Sequence, residues 1–219
     1  MILSFAGKKR VGKDTAANVL VKKFGFKKLN FADPLKEVCS KAFNLDIDYF
    51  YNDNLKDTEF KTPVIIMGGN IATLIDVLQE KGIEVTPESE LLLFENSLGL
   101  HLKSPRHMLQ FIGTDLCRKH ISENVWIDLF MNEIRKTEGN ITCADARLPN
   151  ERQAIRELGG INVRVKNNHV ESDDSHISEN LLGSDEEYQV IMYNDSSKSV
   201  FENDIELWFS HRTNFRLAR

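Results

Sequence analysis

The sequence predicts an α/β fold: one domain over residues 1–219, built on a five-stranded parallel sheet with helices on both faces and a mostly helical insertion at 45–103. Three observations carry this prediction. Five short apolar runs alternate with stretches of helical period. The first run empties into a glycine-flanked loop with a helical pattern directly after it. Proline marks helix starts at Asp33-Pro34, Ser104-Pro105 and Pro149.

In chain order, the first strand is expected at 2–6 and the first helix at 14–24, where Ala16, Val19, Leu20 and Phe24 repeat at helical spacing. A second strand at 27–31 leads to a helix that Asp33 caps, with Pro34 in its first position and Leu35, Val38, Cys39 and Ala42 on one face. The insertion holds two candidate helices, 70–81 and 87–97, punctuated by Thr62-Pro63 and Gly68-Gly69. It covers an acceptor site or serves as plain scaffold. Ser104-Pro105 opens a helix with the stripe Met108, Phe111, Ile112 and Leu116, and another helix covers 125–135. Strands at 140–144, 161–165 and 189–193 follow, with a helix at 149–158 closed by Gly159-Gly160 and a last one at 200–209. Residues 167–187 carry seven acids and no Lys or Arg, which reads as a solvated loop with a short helix.

The first loop is the most specific feature. Gly7 is followed by four residues and then Gly12-Lys13, the form G-x-x-x-x-G-K of a phosphate-binding loop between strand and helix. Glycines let backbone N–H groups turn toward a phosphate, the lysine reaches the outer phosphates, and the helix N-terminus faces the anion. Asp14 stands where that motif has Ser or Thr, and Thr15 comes one residue later. The resulting GK-x-T is familiar from nucleoside monophosphate kinases and points to a P-loop kinase fold. In a parallel sheet ligands lie at the C-terminal strand edges, so the loops bearing Gly12-Lys13, Asp33 and Asp145 are expected to converge.

A formal net charge of −5 and a pI near 5.7 argue against a dedicated nucleic-acid or acidic-membrane binder, yet leave room for a small anion in a local positive pocket. Three cysteines, Cys39, Cys117 and Cys143, without C-x-x-C spacing argue against zinc and a disulfide framework. Free thiols, the short first apolar run and the lack of a membrane-length stretch predict a cytoplasmic protein.

Phosphoryl transfer asks for in-line positioning and positive charge on the transferred group. Lys13 is the first donor. Asp145, ending the third strand, suits a carboxylate near a magnesium ion or the acceptor; capping the next helix is its other reading. Asp14 either helps hold hydrated magnesium or is a first-turn acid. Arg106, Arg118 and Arg147 are candidates to grip an acceptor phosphate, with Gln110 on the face of Arg106 and Gly113-Thr114 a turn on. Trp126 either stacks on a base or packs in the core. Lys8, Lys9 and Arg10 add charge near the phosphates or are solvated, and His176 lacks the pattern of a catalytic dyad.

Together these stretches resemble the phage-type deoxynucleoside monophosphate kinases. The likeness rests on 7–15, on Phe31-Ala32-Asp33-Pro34-Leu35-Lys36, on 105–114, on Trp126 and on 145–151, with 176–179 a weaker match. The resemblance implies transfer of the γ-phosphate of ATP to 5′-dNMPs, with magnesium as cofactor, the two nucleotides as small-molecule partners, and neither nucleic acid nor membrane involved. A homodimer stays open. If the chain is phage-encoded, its place is the host cytoplasm. Carried over, Gly7, Val11, Gly12, Lys13, Asp14 and Thr15 bind ATP, with Thr15 and either Asp14 or Asp145 on magnesium through water. Lys36, Arg106, Gln110, Gly113, Thr114, Trp126, Asp145, Arg147 and Glu151 line the dNMP pocket, and Lys13, Asp14, Arg106, Asp145 and Arg147 form the catalytic set. His107 stands where a lysine fits the family pattern, and 44–103 matches poorly, so base preference stays open. The rivals are a P-loop kinase for another phosphorylated metabolite, such as phosphomevalonate or dephospho-coenzyme A, and a nucleotide-dependent switch. An N-K-x-D guanine-reading stretch is absent, which weighs against the switch.

Overall fold

A computed structural model describes residues 1–170 and 181–216, with side chains as far as 212. The elements in chain order are β1 (Ile2–Ala6), α1 (Lys13–Phe24), β2 (Lys27–Lys28), α2 (Asp33–Phe43) and two single turns, α3 (Asp48–Tyr51) and α4 (Asp53–Lys56). Then come β3 (Val64–Ile65), α5 (Gly68–Glu80), α6 (Pro87–Glu95), β4 (His101–Leu102), α7 (Pro105–Gln110) and a π-helical stretch, Phe111–Arg118. The chain ends with α8 (Val125–Lys136), β5 (Ile141–Cys143), α9 (Pro149–Glu157), β6 (Ile161–Lys166), a 3-10 turn at Asp185–Glu187, β7 (Val190–Tyr193) and α10 (Lys198–Arg216). It divides into two compact units, Met1–Phe31 with Ile134–Arg219, and Ala32–Glu133.

The first unit holds the expected sheet. Its five strands run parallel in the order β2-β5-β1-β6-β7, with β1 central and Ser4 level with Cys143 of β5. Alternation sorts the two faces. Leu3 and Phe5 of β1, with Ile161, Val163 and Val165 of β6, pack against Ala16, Ala17 and Leu20 of α1 and Phe201, Ile205 and Phe209 of α10. On the other face the hydroxyl of Ser4 donates to Asn162 Oδ1 at 2.5 Å, and Asn162 Nδ2 donates to the Arg152 carbonyl of α9 at 2.9 Å. Helices therefore cover both faces.

Within α9, Arg152 is fully buried. Its guanidinium donates to the carbonyls of Arg147 and Leu181, at 2.6 and 3.1 Å, and pairs with Glu187 at 2.5 Å. A buried charge of this kind persists only when it is well partnered; here both terminal nitrogens are bonded, while the buried Nε finds no hydrogen-bond acceptor among the described residues. Nearby, Asp185 pairs with both Arg164 and Lys166.

The second unit is mainly helical and encloses its own core of Val38, Phe50, Ile66, Leu74, Leu78, Leu93, Met108, Ile112, Leu116 and Trp126. It also contains an antiparallel pair, β3 with β4, that the residue pattern did not announce. Two residues per strand are too few to display an alternation.

Three expectations are corrected here. The second strand stops at Lys28 rather than Phe31. Beyond it the chain stays beside β5 through other bonds: Leu29 N–H to the Thr142 carbonyl, Ala144 N–H to Asn30 Oδ1, and Phe31 N–H to Asp145 Oδ1. Asp33 does not cap α2: Ala32 holds the cap position, Asp33 is already helical and Pro34 sits second. The freed carboxylate of Asp33 accepts instead from Lys36 Nζ at 2.9 Å and the Tyr51 hydroxyl at 3.1 Å. Finally, the helix opened by Ser104 is α-helical only to Gln110, then widens into the π stretch.

Candidate active site

In the first unit, β1 ends at Ala6 and the loop turns on three left-handed residues, Gly7 (φ 150°), Arg10 (φ 65°) and Gly12 (φ 104°). Gly7 has no alternative, since a Cβ there would stand 2.3 Å from the Val165 carbonyl oxygen. Val11 is buried at 3% exposure and anchors the loop in the core below. Lys13, 6% exposed, opens α1, and its Nζ donates to the Lys8 carbonyl at 2.6 Å. The ammonium is thus folded back across the loop rather than extended into solvent. Lys8 and Arg10 are exposed and Lys9 is half-buried.

Asp14 points elsewhere. Its carboxylate, 74% exposed, pairs with Lys28 at 2.7 Å and so ties the first turn of α1 to β2. Thr15, half-buried, stands in the same turn.

Asp145 lies two residues past Cys143, which is level with Ser4, so it shares the C-terminal sheet edge with the loop. Its Oδ1 accepts from Phe31 N–H at 2.9 Å and from the Cys143 thiol at 3.2 Å. Burial, reinforced by the Asp145 charge, raises the Cys143 pKa and keeps that thiol a donor. Glu151 serves as the cap of α9: its Oε2 accepts from the backbone N–H groups of Arg147 and Leu148, at 2.9 and 3.0 Å. The Arg147 backbone is therefore held twice, through its N–H by Glu151 and through its carbonyl by Arg152.

Of the acceptor-side candidates, Lys36, Arg106, Gln110, Gly113, Thr114 and Trp126 belong to the second unit, as does Asp33, whereas Asp145, Arg147 and Glu151 belong to the first. Lys36, 8% exposed, donates to Asp33 and lies 4.0 Å above the centre of the Tyr51 ring. Arg106 follows Pro105 in α7, whose start Ser104 caps by accepting from His107 N–H at 3.1 Å. Its guanidinium pairs with Asp57 through Nε, and through Nη2 at 3.3 Å. His107 Nδ1 accepts from Lys103 N–H at 3.1 Å, a local tie that explains how a histidine is used at this position. Arg118 donates to the Glu123 carbonyl at 2.8 Å.

Gln110 and Thr114 are half-buried, on either side of the start of the π stretch. Gly113 and Trp126 are core positions. A Cβ at Gly113 would meet Leu35 Cδ2 at 2.6 Å, and the Trp126 indole, 2% exposed, donates to the Gly113 carbonyl at 2.9 Å. In this structure the indole offers no open face to a base. Pulling the Gly113 carbonyl sideways toward the indole gives a local reason for the widened helix, a form often found at functional positions. His176, Ser178 and Glu179 lie outside the described residues.

With this geometry in place, comparison with known proteins is decisive. The sequence profile described as deoxynucleotide monophosphate kinase matches residues 1–103 and 101–205. The chain belongs to this family. Its relatives include an Acanthamoeba polyphaga mimivirus protein, provisionally named a deoxynucleotide monophosphate kinase, which is 27% identical over 218 residues and covers 94% of each chain. The deoxynucleotide monophosphate kinase of Enterobacteria phage T4 is 25% identical over 208 residues, covering 81% of this chain and 86% of its own. That of Escherichia phage RB69 is 23% identical over 240 aligned positions, covering 94% and 98%. The kinase is accordingly a phosphotransferase that moves phosphate from a nucleotide donor to deoxynucleoside monophosphates. No helix of the described residues is long and apolar enough to cross a membrane.

Sequence reading missed four residues that the kinase uses to hold these candidates: Lys28, Asp57, Arg152 and Asn194, whose Nδ2 donates to the Val11 carbonyl at 3.0 Å. Asn194 had a signal, since it directly follows the last strand at the edge where ligands bind. Asp57 had none.

Proposed function

We propose that the kinase transfers the γ-phosphoryl group of ATP to the phosphate oxygen of 5′-dNMPs, with Gly7, Val11, Gly12, Lys13, Asp14 and Thr15 forming the donor-phosphate loop. The observation that carries this reading is the buried Lys13 ammonium folded across the loop to the Lys8 carbonyl. When nucleotide arrives, Lys13 exchanges that carbonyl for the outer phosphate oxygens and stabilises the charge that shifts during transfer. The acceptor oxygen is already anionic, so no strong general base is required.

Among the described residues there is no group of three His, Cys, Asp or Glu able to cage an ion. A hydroxyl from Thr15 and a carboxylate from Asp145 suit magnesium, which keeps most of its waters and travels with the nucleotide phosphates. Bound there, it would neutralise charge on the donor phosphates. The pairing of Asp14 with Lys28 favours Asp145 over Asp14 for that role.

On the acceptor side, Arg106 and Arg147 bind the dNMP phosphate, and Lys36, Gln110 and Thr114 contribute polar contacts. Gly113 and Trp126 shape this side from within the core, and Glu151 acts by holding the Arg147 backbone. The segment 45–103 covers the acceptor, and exclusion of water on covering protects the transferred group from hydrolysis. The kinase works in the cytoplasm, where its nucleotides are.

The test is direct. Purified kinase with ATP and magnesium is given each of four dNMPs and four rNMPs, and ADP formation is followed. Failure of every dNMP to stimulate ADP release would falsify the proposal. Lys13→Ala should abolish turnover with the fold intact by circular dichroism, and retained turnover removes Lys13 from its role.

A further inference from the structure

We infer that Asn194 is a positioning residue for the donor-phosphate loop, fixing the peptide between Val11 and Gly12 so that the Gly12 N–H points into the loop. Asn194 sits one residue past β7, half-buried, at the C-terminal edge of the sheet. Its own backbone is secured on both sides: its N–H donates to the Lys166 carbonyl at 2.8 Å, and its carbonyl accepts from Asn167 Nδ2. From that fixed base the side-chain amide donates to the Val11 carbonyl at 3.0 Å across 183 residues of chain.

The consequence follows from peptide geometry. In a planar trans peptide the carbonyl of one residue and the N–H of the next point in opposite directions. Holding the Val11 carbonyl outward against Asn194 therefore aims the Gly12 N–H away from Asn194. The amide also walls off Gly12 on its outer side, where a Cβ would lie 2.5 Å from Asn194 Nδ2 and 3.1 Å from Phe201 Cε1. A loop that must present N–H groups to an anion needs such peptides fixed beforehand, because each one left to rotate is ordered at the expense of binding.

This inference rests on reading Gly7–Thr15 as the donor-phosphate loop, and two variants test it apart from that reading. Asn194→Ala removes the donor. Asn194→Asp keeps shape and size but sets a carboxylate oxygen against the Val11 carbonyl. Affinity for ADP with magnesium is measured by calorimetry, and KM for ATP and for dNMP by turnover. One lost hydrogen bond predicts about fivefold weaker ADP binding for Asn194→Ala. Asn194→Asp should be weaker still, more than about tenfold, with KM for dNMP within about twofold of wild type.

A merely space-filling role predicts the opposite order, since the aspartate is the closer fit. Aspartate binding ADP better than alanine, or both variants within twofold of wild type, overturns the inference. Asn194→Ser keeps a hydroxyl donor and stands in if the alanine variant does not fold; it too must bind ADP more tightly than the aspartate variant. Lys13→Ala reports separately on the loop. If that variant retains full ADP affinity and turnover, the donor-loop reading falls, whereas wild-type behaviour of the Asn194 variants alone removes only the role of Asn194.

Discussion

Asp57 and Arg106 form a two-pronged pair, with the carboxylate seated on the Nε–Nη2 edge of the guanidinium. The arginine that the proposed mechanism gives to the acceptor phosphate thereby keeps three donors to offer, the two N–H of Nη1 and the second of Nη2. Both side chains are partly exposed, 30% for Arg106 and 44% for Asp57, so solvent screens much of their attraction. The pair acts on orientation more than on stability.

That division can be measured. Asp57→Asn should raise KM for dNMP by up to about fivefold, leave KM for ATP unchanged and barely move Tm, because exposed pairs are worth about 0–1 kcal/mol. Arg106→Ala removes a charged partner of the phosphate and should lower kcat/KM for dNMP by about tenfold or more, from a loss of about 1.5–3 kcal/mol. If Asp57→Asn lowers KM for dNMP, the carboxylate competes with substrate instead of orienting the arginine.

Trp126 separates packing from base recognition. The buried indole N–H to the Gly113 carbonyl is absent in Trp126→Phe, which should cost about 1–3 kcal/mol of stability through the unpaired buried group and lost volume. Relative rates across the four dNMPs should stay within about twofold, since a residue buried in the core sets shape for all bases alike. A changed base preference at unchanged stability would return the indole to the substrate.

The 185–187 turn predicts an acid-side stability limit. The hydrogen bond from Arg152, followed by smaller help from Ser184 and Arg156, lowers the Glu187 pKa; the bond from Lys166 does the same for Asp185. A carboxylate with a depressed folded-state pKa contributes stability that is fully present above its unfolded value, about 4 for these side chains, and is lost as pH falls toward the folded value. Tm should therefore be flat near neutrality and fall below about pH 4. Glu187→Gln should lower Tm at pH 7 and converge with wild type as pH drops. Parallel Tm curves down to pH 3 would show that the Arg152–Glu187 pair contributes nothing through ionisation.

Much of the first unit was legible because its signals are local. The strand, the loop and the first helix follow from apolar runs, glycine spacing and helical period, and Ile2–Ala6 coincides with the expected strand. What escaped depends on partners far along the chain. Phe31 leaves the ladder because a carboxylate 114 residues away takes its N–H, and Asn194 reaches Val11 over a still longer gap of 183 residues. At the candidate site the residue types were visible but not their orientation. Asp14 turns to Lys28, Glu151 to the helix end, and Asp33 to Lys36 and Tyr51. The π stretch has no sequence signature at all, because the same apolar stripe of Met108, Ile112 and Leu116 fits an α-helix.

Gly113 and Leu35 supply a test of why that stretch is held where it is. A Cβ at Gly113 would come within 2.6 Å of Leu35 Cδ2, but the obstacle is the tip of a side chain, not backbone. Gly113→Ala should therefore cost about 1–3 kcal/mol by overpacking, less than a backbone collision would, and lower kcat/KM for dNMP if Gln110 and Thr114 shift with it. Leu35→Ala alone opens a cavity at a buried position and should cost about 2–5 kcal/mol. In the double variant the new methyl group occupies part of the space that Leu35 vacates, so the two losses should fall short of their sum by about 1 kcal/mol or more. Denaturant midpoints of the four proteins give that coupling directly. Simple additivity would mean that Gly113 is not held by its contact with α2, and that the indole of Trp126 alone keeps the widened turn in place.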